Sequence, residues 1–527
     1  MGNEISSSIP PSLSLSDTLI DGDLDLTRYY MHKRNLRLKE FQRTSLNALI
    51  HRKRKIMNNL LGTDNDLTKN SIRKKRSKKN HLWIRDSNGE LKKCMPTDSL
   101  WFKSYLDGAN VTPYGCKLFR RRFRLPFYIF MELLDDVTEH KLFSRWTKNN
   151  CAGAPPSNIG LLLLGALRYI GRGCTFDDIE EATGISIDVI RDFFHIFIMC
   201  GSTVLYEKHV TIPARTTKPS EFEELFASAG FNGCIGSTDA TNIPMLKCAI
   251  WAAINHKGHK LNVPSRTYNL TVNHCRQILG STMGHPCAWN DKTVILYDEL
   301  VRGVKDGVLF SDYEFKLYEY DENNNVIEVV YVGVWFMVDN GYLSWSCTVP
   351  PMKDGASYQF IRFSEWLESM RKDVECTFGI MKGRFCSLRC GLRMQSIEKC
   401  DQIWLTCCAL HNRLLFEDGL NKDWMNGEKS DWEREFKQHS KRSSSVFAYN
   451  RLFANKNQDN DVLMNGSNLV TRNKRCFKKH TVNGKRIVRK MPLRVFRERL
   501  VEHFDIRFRV KQDIAWPKRF KTTPSVI

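Results

Sequence analysis

The stretch Leu367-Glu368-Ser369-Met370-Arg371-Lys372-Asp373-Val374-Glu375-Cys376-Thr377-Phe378-Gly379-Ile380-Met381-Lys382-Gly383-Arg384-Phe385 reads as the body of a helix running from about Ser357 to Lys382. On that helix Glu375 shares a face with Arg371 one turn before it, Gly379 one turn after it and Lys382 two turns on. Phe378 and Ile380 can anchor the helix on a sheet. One carboxylate would then stand in a stripe of cations, a setting that suits an ion or a phosphate. Most mixed-charge stripes only face water, so the helix needs companions before it means more.

Two companions lie upstream. Asp239 ends the short apolar run Cys234-Ile235-Gly236-Ser237-Thr238-Asp239, and Asp339 ends the β-rich stretch Val329-Val330-Tyr331-Val332-Gly333-Val334-Trp335-Phe336-Met337-Val338-Asp339. Two strand-borne carboxylates and one helix-borne carboxylate can hold a pair of divalent ions about 3.5–4 Å apart, the arrangement that activates water and stabilises a leaving oxygen in phosphoryl transfer. Mg²⁺ takes oxygen ligands and keeps several waters, so a few carboxylates suffice. The chain has 58 acidic residues, most of them solvated surface, so the wording around each acid has to carry the assignment.

That wording resembles the DDE transposases of the Harbinger superfamily, in the plant-transposon branch. The block around Glu375 is similar to the family's V-E-x-x-F-G-x-x-K-x-R-F signature. Val338-Asp339-Asn340-Gly341-Tyr342 resembles its D-x-x-Y motif, and Gly236-Ser237-Thr238-Asp239-Ala240-Thr241-Asn242-Ile243 its G-x-x-D-G-T-H-[IV] motif, with Ala240 and Asn242 where Gly and His are usual. Thr267-Tyr268-Asn269-Leu270-Thr271-Val272-Asn273-His274 and Cys408-Ala409-Leu410-His411-Asn412 agree with two further blocks. The resemblance runs from about Phe119 to Leu415. It implies an α/β fold with a ribonuclease-H-like mixed sheet and flanking helices. It implies catalysis and metal binding by Asp239, Asp339 and Glu375, with two Mg²⁺ or Mn²⁺ ions as cofactor. The substrate would be DNA, both transposon ends and target: water cuts a phosphodiester, and the freed 3′-hydroxyl attacks target DNA by the same in-line route. A Myb-like DNA-binding partner and a homo-oligomer on DNA would accompany the reaction. Arg371, Lys372, Lys382 and Arg384 would contact DNA beside the acids.

The bulk numbers agree with a nucleic-acid partner. The chain has 527 residues, enough for two to four domains. Its 42% hydrophobic fraction can fill a core, and its net charge of +22 favours polyanions. The 17 cysteines, with no secretory signal ahead of them, read as reduced thiols. Cys386, Cys390, Cys400, Cys407, Cys408 and His411 lie close in sequence but form no paired C-x₂-C arrangement, and read as buried packing residues rather than a zinc site. No run approaches the roughly 20 apolar residues of a membrane span, so no membrane partner is expected.

Four regions follow. Residues 1–114 read as a disordered, basic segment with short helices, in which Arg73, Lys74, Lys75, Arg76, Lys78 and Lys79 form a nuclear-import signal and predict a nuclear protein. Residues 115–225 read as an all-α, helix-turn-helix-like domain. Thr175-Phe176-Asp177-Asp178 opens a capped helix, Gly184 breaks it, and Ser186 can cap the next, Ile187 to Cys200. Arg191 and His195 are the possible base or phosphate contacts of that mostly apolar helix, which could equally be a packed support. Residues 226–420 hold the nuclease candidate, with strands near 233–239, 247–254 and 267–273. An inserted β-hairpin, 314–320 and 326–338, turns at 321–325. Residues 421–527 read as a polar linker and a basic tail. Lys478, Lys479, Arg486 and Arg489 there are phosphate-contact candidates, ahead of an amphipathic helix from Pro492 to Phe504. Two rivals remain open at this level: a domesticated, non-cutting DNA- or chromatin-binding descendant, and an ordinary nuclease of the same fold.

Overall fold

Capping residues cut the first helices to length. Helix α1 (Pro113–Phe123) begins where the Thr112 hydroxyl accepts the Gly115 N–H at 3.0 Å. Helix α2 spans Phe127–Glu139. Helix α3 (Ile159–Arg172) is capped by Asn158 and stopped by Gly173 at φ 72°, a left-handed position glycine adopts freely. Helix α4 (Phe176–Thr183) carries the expected capping box between Thr175 and Asp178. Helix α5 (Ile187–Cys200) follows three residues later, but the Ser186 hydroxyl makes no capping bond. This computed structural model of the protein describes residues 83–85, 88–93, 95–107, 112–149, 156–210, 219–258, 263–352, 357–415, 417–418, 476–482 and 485–514. The basic run at 73–79, read as an import signal, lies outside the described residues.

The architecture is mixed α/β, with a mixed sheet and many helices. Ahead of α1, β1 (Trp83–Arg85) and β2 (Leu91–Lys93) form a small antiparallel ribbon. The main sheet runs in the order β10-β9-β3-β4-β5, with β6 added to β4. Its members are β3 (Cys234–Pro244), β4 (Ser265–Val272), β5 (Ile278–Ser281), β6 (His285–Pro286), β9 (Trp335–Met337) and β10 (Thr348–Val349). Strands β3, β4 and β5 pair antiparallel; β9 lies parallel to β3, and β10 parallel to β9. Two helices precede the long one: α6 (Pro219–Ser228) and α7 (Glu299–Lys305). The long helix, α8 (Tyr358–Arg384), and α9 (Ile397–Leu415) cover one sheet face. Leu300, Val301 and Val304 of α7 pack on the other, against Ile235, Leu279, Phe336 and Val338. The segment 247–254, expected as a strand, is instead the end of a loop and the short helix Ile250–His256. Its burial repeats every four residues, Ala252 and His256 in and Ile250 and Ile254 out, which is a helical period and not an alternating one.

A second sheet, β12-β11-β8-β7, stands beside the first. Strands β7 (Glu314–Tyr320) and β8 (Val326–Val332) are the expected hairpin, closed by Asp321, whose carboxylate accepts the Asn323 and Asn325 N–H groups. The expected second strand, 326–338, is broken: Gly333 at φ 103° ends β8 and hands the chain to β9 in the main sheet. Strands β11 (Cys476–Val482) and β12 (Lys485–Met491) come from the segment read as a basic tail, and β11 pairs with β8. Helix α10 (Leu493–Asp505) then buries Phe496, Leu500, Val501 and Phe504 against Phe226 and Phe231 and against Phe363 and Trp366 of α8.

The helical region and the sheet share a single apolar core. Leu161 to Leu164 of α3 and Phe193, Phe194 and Phe197 of α5 join Trp404, Cys407 and Cys408 of α9. Gly201 permits the close approach, since a β-carbon there would lie 2.4 Å from the Thr406 hydroxyl oxygen. The helical stretch Ile187–His209 is long and apolar enough to cross a membrane, contrary to the sequence reading, and half of its apolar window is spent inside this core. Cys400, Cys407 and Cys408 are buried, as expected for packing residues. Cys386 and Cys390 are not, and their sulfurs sit 3.3 Å apart near the surface.

Candidate active site

Strand β3 reaches the site through a bulge. The pairing with β9 shifts between Cys234 and Gly236, so Cys234 lies opposite Trp335 and Gly236 opposite Phe336. Cys234 packs in the core beneath α8, and Asp239, five residues on, also bonds to α8. An odd separation places two residues on opposite faces of a regular strand; the extra residue of the bulge returns Asp239 to the α8 side. Gly236 is needed there, because a β-carbon would lie 2.8 Å from the Val272 carbonyl oxygen. Beyond the bulge Ser237 faces Met337. That is the last paired position of the two strands, and Asp339 lies in the loop just past β9, near enough for its charge to act on Arg371 and Tyr342.

Helix α8 supplies the third acid. Phe363, Trp366, Leu367, Met370, Val374, Thr377 and Met381 are buried at three- and four-residue steps and fix its rotation. The adjoining stripe therefore looks toward the middle of β3. From it Arg371 donates to Asp239 Oδ2 at 3.1 Å and to Glu375 Oε1 at 2.9 Å. Lys382 donates to the Thr241 hydroxyl at 2.7 Å, two residues past Asp239 on the same strand face. Burial pushes the Asp239 carboxyl up to about 6, the Arg371 guanidinium works against that rise, and Glu375 and Asp291 add to it. Among the described residues no three His, Cys, Asp or Glu side chains converge as a metal-holding group in this arrangement. The cation between Asp239 and Glu375 is Arg371.

The loop after β9 is held from below. Asp339 is exposed and accepts the Gly341 N–H at 3.2 Å. Tyr342 is buried and donates to Asn269 Oδ1 at 2.8 Å, while Asn269 donates to the buried Asp298 at 2.6 Å. Two blocks that looked separate in the sequence, D-x-x-Y and Thr267–His274, thus form one support. The closing block is also structural. The Asn412 side chain accepts the Ile278 N–H and donates to its carbonyl, standing in for a missing strand partner, and the buried His411 ring bonds the Arg276 carbonyl.

One acid escaped the sequence reading. Asp291 perturbs both Asp239 and Tyr342, and its Oδ2 sits 3.1 Å from where a β-carbon on Gly341 would stand. Nothing in its sequence context, Trp289-Asn290-Asp291-Lys292, marked it, because only folding carries this segment to the Asp339 loop.

The expected DNA-contact residues fare differently. Lys372 is exposed on α8 and Lys382 half-buried. Arg371 is mostly buried, with both terminal nitrogens committed to carboxylates. Arg384, expected to touch DNA, is fully buried in an ion pair with Asp418 and is a packing residue. Arg191 is half-exposed and paired with Asp188. His195 lies against the Lys399 ammonium at 2.8 Å, and burial together with that cation lowers its pKa to about 4, so the imidazole is neutral at pH 7. Both sit on α5, away from the acids in sequence, His195 against Lys399 of α9 and Arg191 over the Phe176 ring of α4. Lys478, Lys479, Arg486 and Arg489 lie on β11 and β12, where Lys478 is in register with Arg489 and with Tyr331.

The family model for DDE superfamily endonucleases matches residues 239–412, a segment that opens on Asp239 and closes on Asn412. No curated protein and no solved structure matches the chain. The match supports a DDE transposase-like family, and with it nuclease-type chemistry and DNA as the substrate class.

Proposed function

We propose that the chain is a DNA transposase of Harbinger type that cuts and joins phosphodiesters with the help of divalent ions. The observation that carries this reading is the gathering of three acids about Arg371, which bonds Asp239 and Glu375 and feels the charge of Asp339 just past the end of β9. The strand order, three antiparallel strands followed by two parallel ones, supports a ribonuclease-H-like sheet.

The donor set fits Mg²⁺ or Mn²⁺. It is all carboxylate oxygen, and Asp239 is a buried acid whose ionisation its one neighbouring cation does not fully restore. Asp239, Asp339 and Glu375 would hold the ions, which supply Lewis acidity at the scissile phosphate. The chain's own residues do the rest. The Tyr342–Asn269–Asp298 support fixes the Asp339 loop. Arg371 balances the carboxylates, and Lys372 and Lys382 offer cations to the phosphates on either side. The apolar, core-bound α5 favours the role of packed support over that of a base-reading helix, and base recognition then falls to other segments or to a Myb-like partner. Import through the 73–79 run, action in the nucleus and assembly as a homo-oligomer on DNA complete the proposal.

A second reading is a domesticated, non-cutting DNA-binding protein, favoured by the engagement of two of the three acids with Arg371. Plasmid DNA and Mn²⁺ separate the two. The wild type is expected to nick the DNA, and Asp239→Asn, Asp339→Asn and Glu375→Gln to be slower by on the order of 100-fold or more, a loss of at least ~2.7 kcal/mol of barrier lowering. Equal nicking by Glu375→Gln would remove Glu375 from the mechanism. DNA binding without nicking by any form would favour the second reading.

A further inference from the structure

Three rings gather around the segment that carries Asp291. His285, Trp289 and Tyr297 stand 5.1 to 5.4 Å apart, centroid to centroid, with His285 and Trp289 inclined by 18° and Trp289 and Tyr297 by 27°. His285 is buried, and its backing holds the outer rings flat, while Trp289 is 36% and Tyr297 52% exposed. Single exposed aromatics need no explanation, but two rings that stack on each other and still leave outward surface open give up apolar area that folding would normally hide.

Their place in the chain gives the surface a meaning. Trp289 is two residues before Asp291, whose carboxylate lies against Gly341 in the Asp339 loop. Strand β6, which carries His285, pairs with β4 at Thr267, and Thr267 bonds Asn242 three residues beyond Asp239 on β3. Lys292 and Lys257 are exposed; Lys292 follows Trp289 by three residues, and the Lys257 segment is held near by Gly258, which packs on Cys287. Partly open rings with exposed lysines, on the segment that brings Asp291 to the Asp339 loop, match a DNA strand whose base has left the duplex. The rings take the base face and the lysines its flanking phosphates.

We propose that Trp289 and Tyr297 form a stacking platform for an unpaired nucleobase of the DNA strand that enters the Asp239–Asp339–Glu375 site. The platform rests on the transposase reading above. It makes the enzyme prefer DNA that is frayed, gapped or distorted beside the cut, because a base inside an intact duplex has no free face to offer.

The test uses the full chain and two fluorescent duplexes of one sequence, the first fully paired and the second with a short unpaired gap carrying 2-aminopurine. Wild type is expected to bind the gapped DNA more tightly and to quench the 2-aminopurine. W289A should weaken gapped binding by about 5- to 100-fold, the range for losing one base–aromatic stack, and leave paired binding within about twofold. W289F should recover most of the loss. Y297L, at the more exposed ring, gives a second reading if W289A fails to fold. Unchanged gapped binding in folded W289A and Y297L, or equal losses on both DNAs, would overturn the platform while leaving the transposase reading intact. A wild type that binds neither DNA would overturn both.

Discussion

At the residue scale, Arg371 is the most consequential side chain outside the acids. It is the only charge compensation for Asp239 that any described bond provides, and it also ties down Glu375. Removing one partner of a largely buried ion pair leaves the other unpaired, which commonly costs 3–5 kcal/mol. The half-exposed Glu375 and partial solvent access at Asp239 reduce that here to about 1–3 kcal/mol. Arg371→Met is therefore expected to lower the unfolding temperature in the absence of metal. Mn²⁺ should then raise it by more than it raises the wild type, since a ligand that binds only the folded state stabilises in proportion to its affinity and the competing guanidinium is gone. Thermal unfolding with and without Mn²⁺ checks this; the same Mn²⁺ increment in both proteins would refute it. The sequence identified Arg371 correctly as a member of the Glu375 stripe, but assigned it to phosphate. That it bonds the acids depends on where β3 lies relative to α8, which no local pattern records.

At the element scale, three glycines decide where strands go. The bulge at Gly236 turns Asp239 toward α8, and Gly233 and Gly333 at positive φ bracket the passage between the two sheets. Gly236→Ala drives a methyl into a backbone carbonyl that cannot give way, and overpacking of this kind costs about 1–3 kcal/mol. Gly379→Ala on α8 meets open space and should stabilise by about 0.5–1 kcal/mol, as alanine does for glycine inside a helix. Urea unfolding of the pair is expected to give opposite signs, with slower nicking in Gly236→Ala as Asp239 is displaced. A neutral Gly236→Ala would mean the bulge is not under steric control. Helix α8 was legible within two residues because a long amphipathic period survives any context. The break at Gly333 was not, since an apolar run of thirteen residues reads as one strand until its partners are known.

At the scale of the whole molecule, the chain returns to its own middle. Residues 476–505 give two strands to the second sheet and a helix to the core beneath α8, where Phe504 meets Phe231, Phe363 and Trp366. Their basic composition suggested a tail, and the backbone pairing of β11 with β8 gives them a structural role as well. A chain ended at residue 420 is expected to expose this aromatic surface, bind a hydrophobic dye and lose its cooperative unfolding transition. A shortened chain that unfolds with the wild-type midpoint would reduce α10 to an ornament.

The sequence alone determined the helix that bears Glu375, the presence of strands at or just before Asp239 and Asp339 though not their ends, the hairpin and the polyanion-seeking charge. Each is set by short-range periodicity, turn chemistry or composition. The tertiary structure decided which face Asp239 takes, that Arg371 lies between two acids, that Arg384 is buried, that Asp291 reaches the Asp339 loop, and that the C-terminal segment completes a core. Those depend on a one-residue bulge and on contacts between segments from about thirty to nearly three hundred residues apart, which alternation and spacing along a chain do not encode.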